Sequence, residues 1–102
     1  MHDPNPGLDR LTTPCLVLDE ARMTRNIRRL AAKAEALGVT LRPHLKTAKS
    51  VDVARRVLTG GSGPATVSTL AEAEVFAAAG VQDILYAVGI APQKLPRVLE
   101  LR

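Results

Sequence analysis

Short runs of consecutive apolar residues alternate along this chain with longer stretches in which apolar positions return every three or four residues. Residues 15–18 (Cys-Leu-Val-Leu) are the first such run, the pattern of a strand buried on both faces. Asp19 then stands where a helix needs a cap, ahead of a stripe made by Met23, Ile27, Leu30, Ala31, Ala34 and Leu37. Gly38 closes that helix, because glycine adopts the left-handed conformation that ends one at no steric cost. A second strand is predicted over 39–46. Ser50 caps a second helix carrying Val53, Ala54, Val57 and Leu58, which Gly60-Gly61-Ser62-Gly63-Pro64 breaks. Residues 65–68 read as a third strand. Thr69 and Glu72 form a capping box that opens a third helix running to Gly80. Residues 84–88 form a fourth strand, and Pro92 starts a helix carried by Leu95, Val98, Leu99 and Leu101.

Strand and helix therefore alternate four times with short connections, which calls for a parallel sheet with crossover helices. An open doubly wound sheet and a β/α barrel both satisfy that order. The last helix meets no stop signal before Arg102, and four βα units are half of an eight-unit barrel. The expectation is an α/β chain holding the first four units of a TIM-type barrel. Residues 1–13, polar and containing Pro4, Pro6 and Gly7, form an irregular arm, and 14–102 form the incomplete barrel portion.

Composition narrows the picture. Hydrophobic residues make up 46% of the 102, ordinary for a globular chain, and Phe76 and Tyr86 are the only aromatics. The core must come from Leu, Val, Ile and Ala. A net charge of +4 invites a nucleic-acid partner. Much of that excess, however, is Arg22, Arg25, Arg28, Arg29 and Lys33 on one helix, with no aromatic between them to stack a base. Cys15 is the lone cysteine, so no internal disulfide forms and a reducing cytoplasm is expected. The N-terminus lacks the apolar stretch of a signal peptide, and no run approaches the ~20 residues that span a bilayer. A soluble protein with no membrane or nucleic-acid partner follows.

The predicted second strand is where chemistry gathers. Side chains alternate along a strand, so Val39, Leu41, Pro43 and Leu45 face one way and Thr40, Arg42, His44 and Lys46 the other. A row of Arg, His and Lys facing a barrel interior is costly without partners, and Pro43 removes a ladder donor. Such breaks of local rules gather at functional sites. Lys46 closes the strand at its C-terminal end, where barrel enzymes keep their reacting groups. Crowding by Arg42, Lys49 and His44 disfavours an ammonium there and frees the amine to attack a carbonyl. A solvated cationic patch, or a phosphate-binding one, accounts for the same residues by spacing alone.

Four segments carry a resemblance. Thr13-Pro14-Cys15-Leu16-Val17-Leu18-Asp19, Arg25-Asn26-Ile27, Arg42-Pro43-His44-Leu45-Lys46-Thr47 and Val67-Ser68-Thr69-Leu70-Ala71-Glu72-Ala73-Glu74 occur in that order. Together they resemble the N-terminal part of the D-threonine aldolase and D-serine dehydratase group, pyridoxal 5'-phosphate (PLP) enzymes of the alanine-racemase-like fold. The resemblance spans about residues 12–102, and its RPHxKT element is specific. It implies that Lys46 is the Schiff-base lysine and that Arg42 and His44 lie beside the cofactor. Where relatives often read KTHK, this chain has Lys46-Thr47-Ala48-Lys49, so Ala48 puts any contact of that imidazole in doubt. The phosphate-binding loops and the ligands of a divalent metal come, in the group, from later segments, so no metal ligand is expected here.

The implied activity is a PLP-dependent lyase reaction on a D-configured β-hydroxy amino acid. The first expectation is D-threonine-aldolase-like cleavage to glycine and an aldehyde, in a full-length protein that can be a homodimer. Dehydration of D-serine or D-3-hydroxyaspartate and racemisation are the alternatives, and a non-catalytic PLP carrier is the reading from another class. Among the remaining candidates, Cys15 is expected in the core, Tyr86 packed, and Thr69 a cap. Ser68 and Thr69 stand at the barrel mouth, Gly60-Gly61-Ser62-Gly63 is a turn, and His2 has no role.

Overall fold

The computed structural model describes residues 7–102. His2 and the first part of the expected arm lie outside them. The remainder of the arm, from Gly7 onward, holds a 3-10 turn at Leu8–Arg10 and is exposed. Helix α1, Glu20–Leu37, begins where the Asp19 side chain accepts the Arg22 N–H and ends at Gly38 with φ 68°. Helix α2, Val51–Val57, is capped by Ser50, whose hydroxyl accepts the Val53 N–H at 3.3 Å. Strand β1 is Ala65–Val67, helix α3 is Leu70–Ala78, strand β2 is Ile84–Tyr86, and helix α4 is Leu95–Glu100.

The two strands pair in parallel, Ala65 with Ile84 and Val67 with Tyr86, joined by α3 as a crossover. The predicted third and fourth strands are therefore present, each slightly shorter than expected. The second is reduced to a bridge between His44 and Thr66. There the Leu45 N–H donates to the Thr66 carbonyl at 2.9 Å, and the Thr66 N–H donates to the Pro43 carbonyl at 2.9 Å. Pro43 has no N–H to extend the ladder backwards, and the chain turns at Lys46, so the pairing stays short.

The first predicted strand is not formed. Residues 15–18 make no ladder, Leu16 is 99% exposed, and Cys15 is exposed too, which corrects its expected place in the core. A continuous apolar run needs cover on both faces, and nothing among the described residues supplies it. The four-unit sheet thus resolves into residues 43–45, β1 and β2 side by side.

One face of this sheet is packed. Leu45, Ala65 and Val67 meet Ala54 and Leu58 of the α2 region, Ala73 and Phe76 of α3, and Val81. Ile84 and Tyr86 pack against the same cluster, so Tyr86 is the packed strand tyrosine expected. The alternation read from sequence holds from 41 to 46: Leu41 and Pro43 are half-buried and Leu45 buried, while Arg42, His44 and Lys46 are exposed. The opposite face carries His44, Thr66 and Leu85 in register, with Leu85 51% exposed. Helix α1 is tied on by Arg56, which donates to Glu20 and Thr24 at 2.7 Å each.

Candidate functional site

Lys46 sits where the bridging segment leaves the sheet. Its backbone N–H donates to His44 Nδ1 at 3.2 Å, so the imidazole braces the turn. The Lys49 N–H then closes the turn on the Leu45 carbonyl at 3.1 Å. Lys49 takes φ 49°, a left-handed conformation unusual for a long side chain and one that gathers near functional sites. The Lys46 side chain is exposed on the face that the core leaves uncovered.

Two residues past the bridge, the neighbouring strand supplies Ser68 and Thr69 at its own C-terminal end. Thr69 caps α3: its hydroxyl accepts the Glu72 N–H at 3.0 Å and donates to Glu72 Oε2 at 2.6 Å. Ser68 donates to the same Oε2 at 3.0 Å. Glu72 is buried, and its other oxygen, Oε1, has no hydrogen-bond partner. The Thr69 hydroxyl, aided by Ser68 and the Lys49 charge, outweighs burial and holds the carboxyl below the ordinary glutamate range.

Arg42 works at the other end of the strands. It donates to the carbonyls of Ala65 at 2.9 Å and Asp83 at 2.7 Å, and to Asp83 Oδ1 at 2.8 Å. Asp83, with φ 54°, presents both oxygens at once. The guanidinium thus fastens 43–45, β1 and β2 at their starts. The sequence row of Arg42, His44 and Lys46 separates here into a clamp at the foot and a lysine–imidazole pair at the top. Asp83 is the partner of this row that the sequence does not reveal, since an aspartate before a strand has an ordinary local explanation. The unusual left-handed conformation of Asp83 leaves no mark in composition.

The other candidates fall into place around this site. Gly60, Gly61 and Gly63 have φ of 63°, 77° and 126°, a turn as read. A groove of about 560 Å³ lies between α1 and α2, lined by Ile27, Leu30, Leu41 and Val57, and neither His44 nor Lys46 borders it. Among the described residues, no group of three His, Cys, Asp or Glu is placed to hold a metal ion. No helix among them is long and apolar enough to cross a membrane.

With this geometry in place, known proteins can be compared. The model of the alanine racemase N-terminal domain matches residues 18–102. D-threo-3-hydroxyaspartate dehydratase of Delftia sp. (strain HT23) is 55% identical over 90% of this chain and 24% of its own. Its solved structure superposes with a TM-score of 0.84, and another structure of that enzyme is a variant in the metal-free form. The 3-hydroxy-D-aspartate aldolase of Paracoccus denitrificans is 39% identical over 94% of this chain and 26% of its own. An alanine-racemase-like protein from Idiomarina loihiensis shares 53% identity over 94% of this chain and 26% of its own, with a TM-score of 0.89. The chain spans about a quarter of the length of the relatives it matches.

Proposed function

The chain belongs to the alanine racemase N-terminal domain family, and from that premise we propose that its full-length protein is a PLP-dependent lyase of D-configured β-hydroxy amino acids. Alanine-racemase-like D-amino acid lyases use PLP. The observation that carries the reading is Lys46: an exposed primary amine ending the bridging segment, on the uncovered face, inside Arg42-Pro43-His44-Leu45-Lys46-Thr47. The donor set fits the cofactor's anchor. The exposed Lys46 lies two residues past His44 and three before Lys49, with two hydroxyls at the end of the next strand.

Lys46 is the residue that would hold PLP, and the bound cofactor supplies an electron sink for bond breaking next to the amino carbon. The chain's own part is positioning. His44 fixes the Lys46 backbone through Nδ1 and is itself exposed. Arg42 supports both from below by holding the strand register, a placement that favours bracing over direct contact with the cofactor.

Among lyase reactions, dehydration of a 3-hydroxy acidic substrate is favoured by the 55% identity to the Delftia dehydratase. Aldol cleavage is the second reading, supported by the aldolase of Paracoccus and by a D-threonine aldolase of Arthrobacter sp. at 42% identity. A divalent metal held by residues outside this chain accords with the metal-free form of the Delftia enzyme. The test is product analysis of the full-length protein supplied with PLP and a divalent cation. On D-threo-3-hydroxyaspartate, dehydration releases a 2-oxo acid and ammonia in equal amounts, whereas cleavage releases glycine and an aldehyde. Neither pair of products, from this substrate, D-threonine or D-serine, would leave racemisation or a PLP carrier, which formation of the L-enantiomer separates.

A further inference from the structure

Ser68 shares a register row with Lys46. Ala65 and Val67 belong to the core, so Thr66 and Ser68 fall on the uncovered side of β1 and its end. Thr66 bridges His44, and two residues further along the two segments stand Ser68 and Lys46. The backbone on both sides of Ser68 is held. The Val67 carbonyl accepts the Ala87 N–H at 3.0 Å, and the Thr69 carbonyl accepts the Ala73 N–H at 3.1 Å.

The direction of the hydroxyl is fixed as well. Ser68 donates to Glu72 Oε2 at 3.0 Å, and Thr69 holds the same oxygen at 2.6 Å. Glu72 is 8% exposed, and an ionised carboxylate only accepts hydrogen bonds. The single hydroxyl hydrogen of Ser68 is therefore committed to Glu72, which leaves its lone pairs as acceptors. The buried negative charge behind it polarises the oxygen and strengthens it in that role. Thr69 differs, because its oxygen already accepts the Glu72 N–H at 3.0 Å.

A half-buried acceptor at the mouth recognises a donor. The substrate class proposed above carries two donors next to the reacting carbon, its amino group and its β-hydroxyl. The amino group is taken up in the exchange at Lys46, which leaves the hydroxyl. We propose that Ser68 is a substrate-binding residue whose Oγ accepts the β-hydroxyl hydrogen, and that Glu72 is the positioning residue that turns Oγ toward it. Ser68 then sets the preference for hydroxylated over plain D-amino acids. This rests on the lyase reading above and names the contact that would recognise its substrate class.

The experiment compares two ligands that differ by that hydroxyl, D-threo-3-hydroxyaspartate and D-aspartate, on the PLP-loaded full-length protein. Stopped-flow absorbance gives the apparent Kd of each without requiring turnover. One net hydrogen bond corresponds to about a tenfold preference for the hydroxylated ligand in the wild type. In Ser68→Ala that ratio should fall to about one through weaker binding of the hydroxylated ligand alone, and Ser68→Thr should restore it. Glu72→Gln, which keeps the shape and removes the charge, should lower the ratio too; a full wild-type ratio there overturns the positioning role. An unchanged ratio in Ser68→Ala, including equal weakening of both ligands as a merely structural role would give, overturns the proposal. If Ser68→Ala does not fold, the wild type decides, since equal affinities for the two ligands overturn it as well. Failure of the lyase reading would appear separately, as absence of product while the wild-type ratio persists.

Discussion

A single carboxylate shows how a residue can hold a fold at one pH and release it at another. Glu72 has its carboxyl lowered chiefly by the Thr69 hydroxyl, so its stabilising effect is complete above the ordinary glutamate range. It is lost as pH falls through the depressed folded value, because protonation then favours the unfolded chain. Acid titration followed by circular dichroism should show Glu72→Gln losing part of this acid-limb dependence relative to wild type. Equal slopes would contradict the assignment. Thr69→Ala removes the cap and one partner of Oε2 together, and a loss of about 1–2 kcal/mol is expected in urea unfolding. At this scale the place of Lys46, exposed at the end of the bridging segment, was legible from side-chain alternation along 41–46. Glu72 was half legible: the capping box was readable, but its buried free oxygen depends on what lies across the sheet.

Among the elements, the helices were read most faithfully, because caps and stops are local. Asp19, Ser50 and Thr69 each accept the N–H three residues on, and Gly38 ends α1 as expected. Strands fared differently, since a strand exists only through its partner. Residues 65–67 and 84–86 have one another, whereas 15–18 have none and 39–46 keep a single bridge. That bridge depends on Arg42. Arg42→Met should leave the Ala65 and Asp83 carbonyls without their side-chain donor and cost about 1–2 kcal/mol. The expected signature is faster hydrogen exchange at Leu45 and Thr66, whose N–H groups carry the pairing; unaltered exchange would remove the clamp from the account. Gly63 is a stricter constraint than its place in a turn suggested. A Cβ there would come within 2.3 Å of the Gln82 carbonyl oxygen, at a φ of 126°. Gly63→Ala should therefore cost about 3 kcal/mol, read as a shifted urea midpoint.

Taken whole, the molecule is an open slab with a one-sided core. Its accessible surface is 7941 Å², against about 5,600 Å² for a compact protein of its mass. The radius of gyration is 16.8 Å, where about 13 Å is usual at this length. Leu16, Leu85 and Leu99 remain 99%, 51% and 61% exposed, and among the described residues no strand pairs with either outer edge of the sheet. Residues 1–102 expressed alone should therefore associate in a concentration-dependent way by sedimentation velocity, and should not retain PLP through gel filtration. A discrete dimer with stoichiometric PLP that turns over D-threonine would contradict this. The α/β character was legible as alternation of elements; the extent of the sheet was not, because strand pairing depends on distant partners, and among the described residues only 43–45, β1 and β2 find them.

The central claim, that Lys46 is the anchoring lysine, is tested most directly by reducing the PLP-loaded full-length protein with borohydride and mapping its peptides. The account predicts a pyridoxyl adduct on Lys46, stoichiometric and abolished in Lys46→Ala but not in Lys49→Ala. An adduct on Lys49, or none at all, would contradict it.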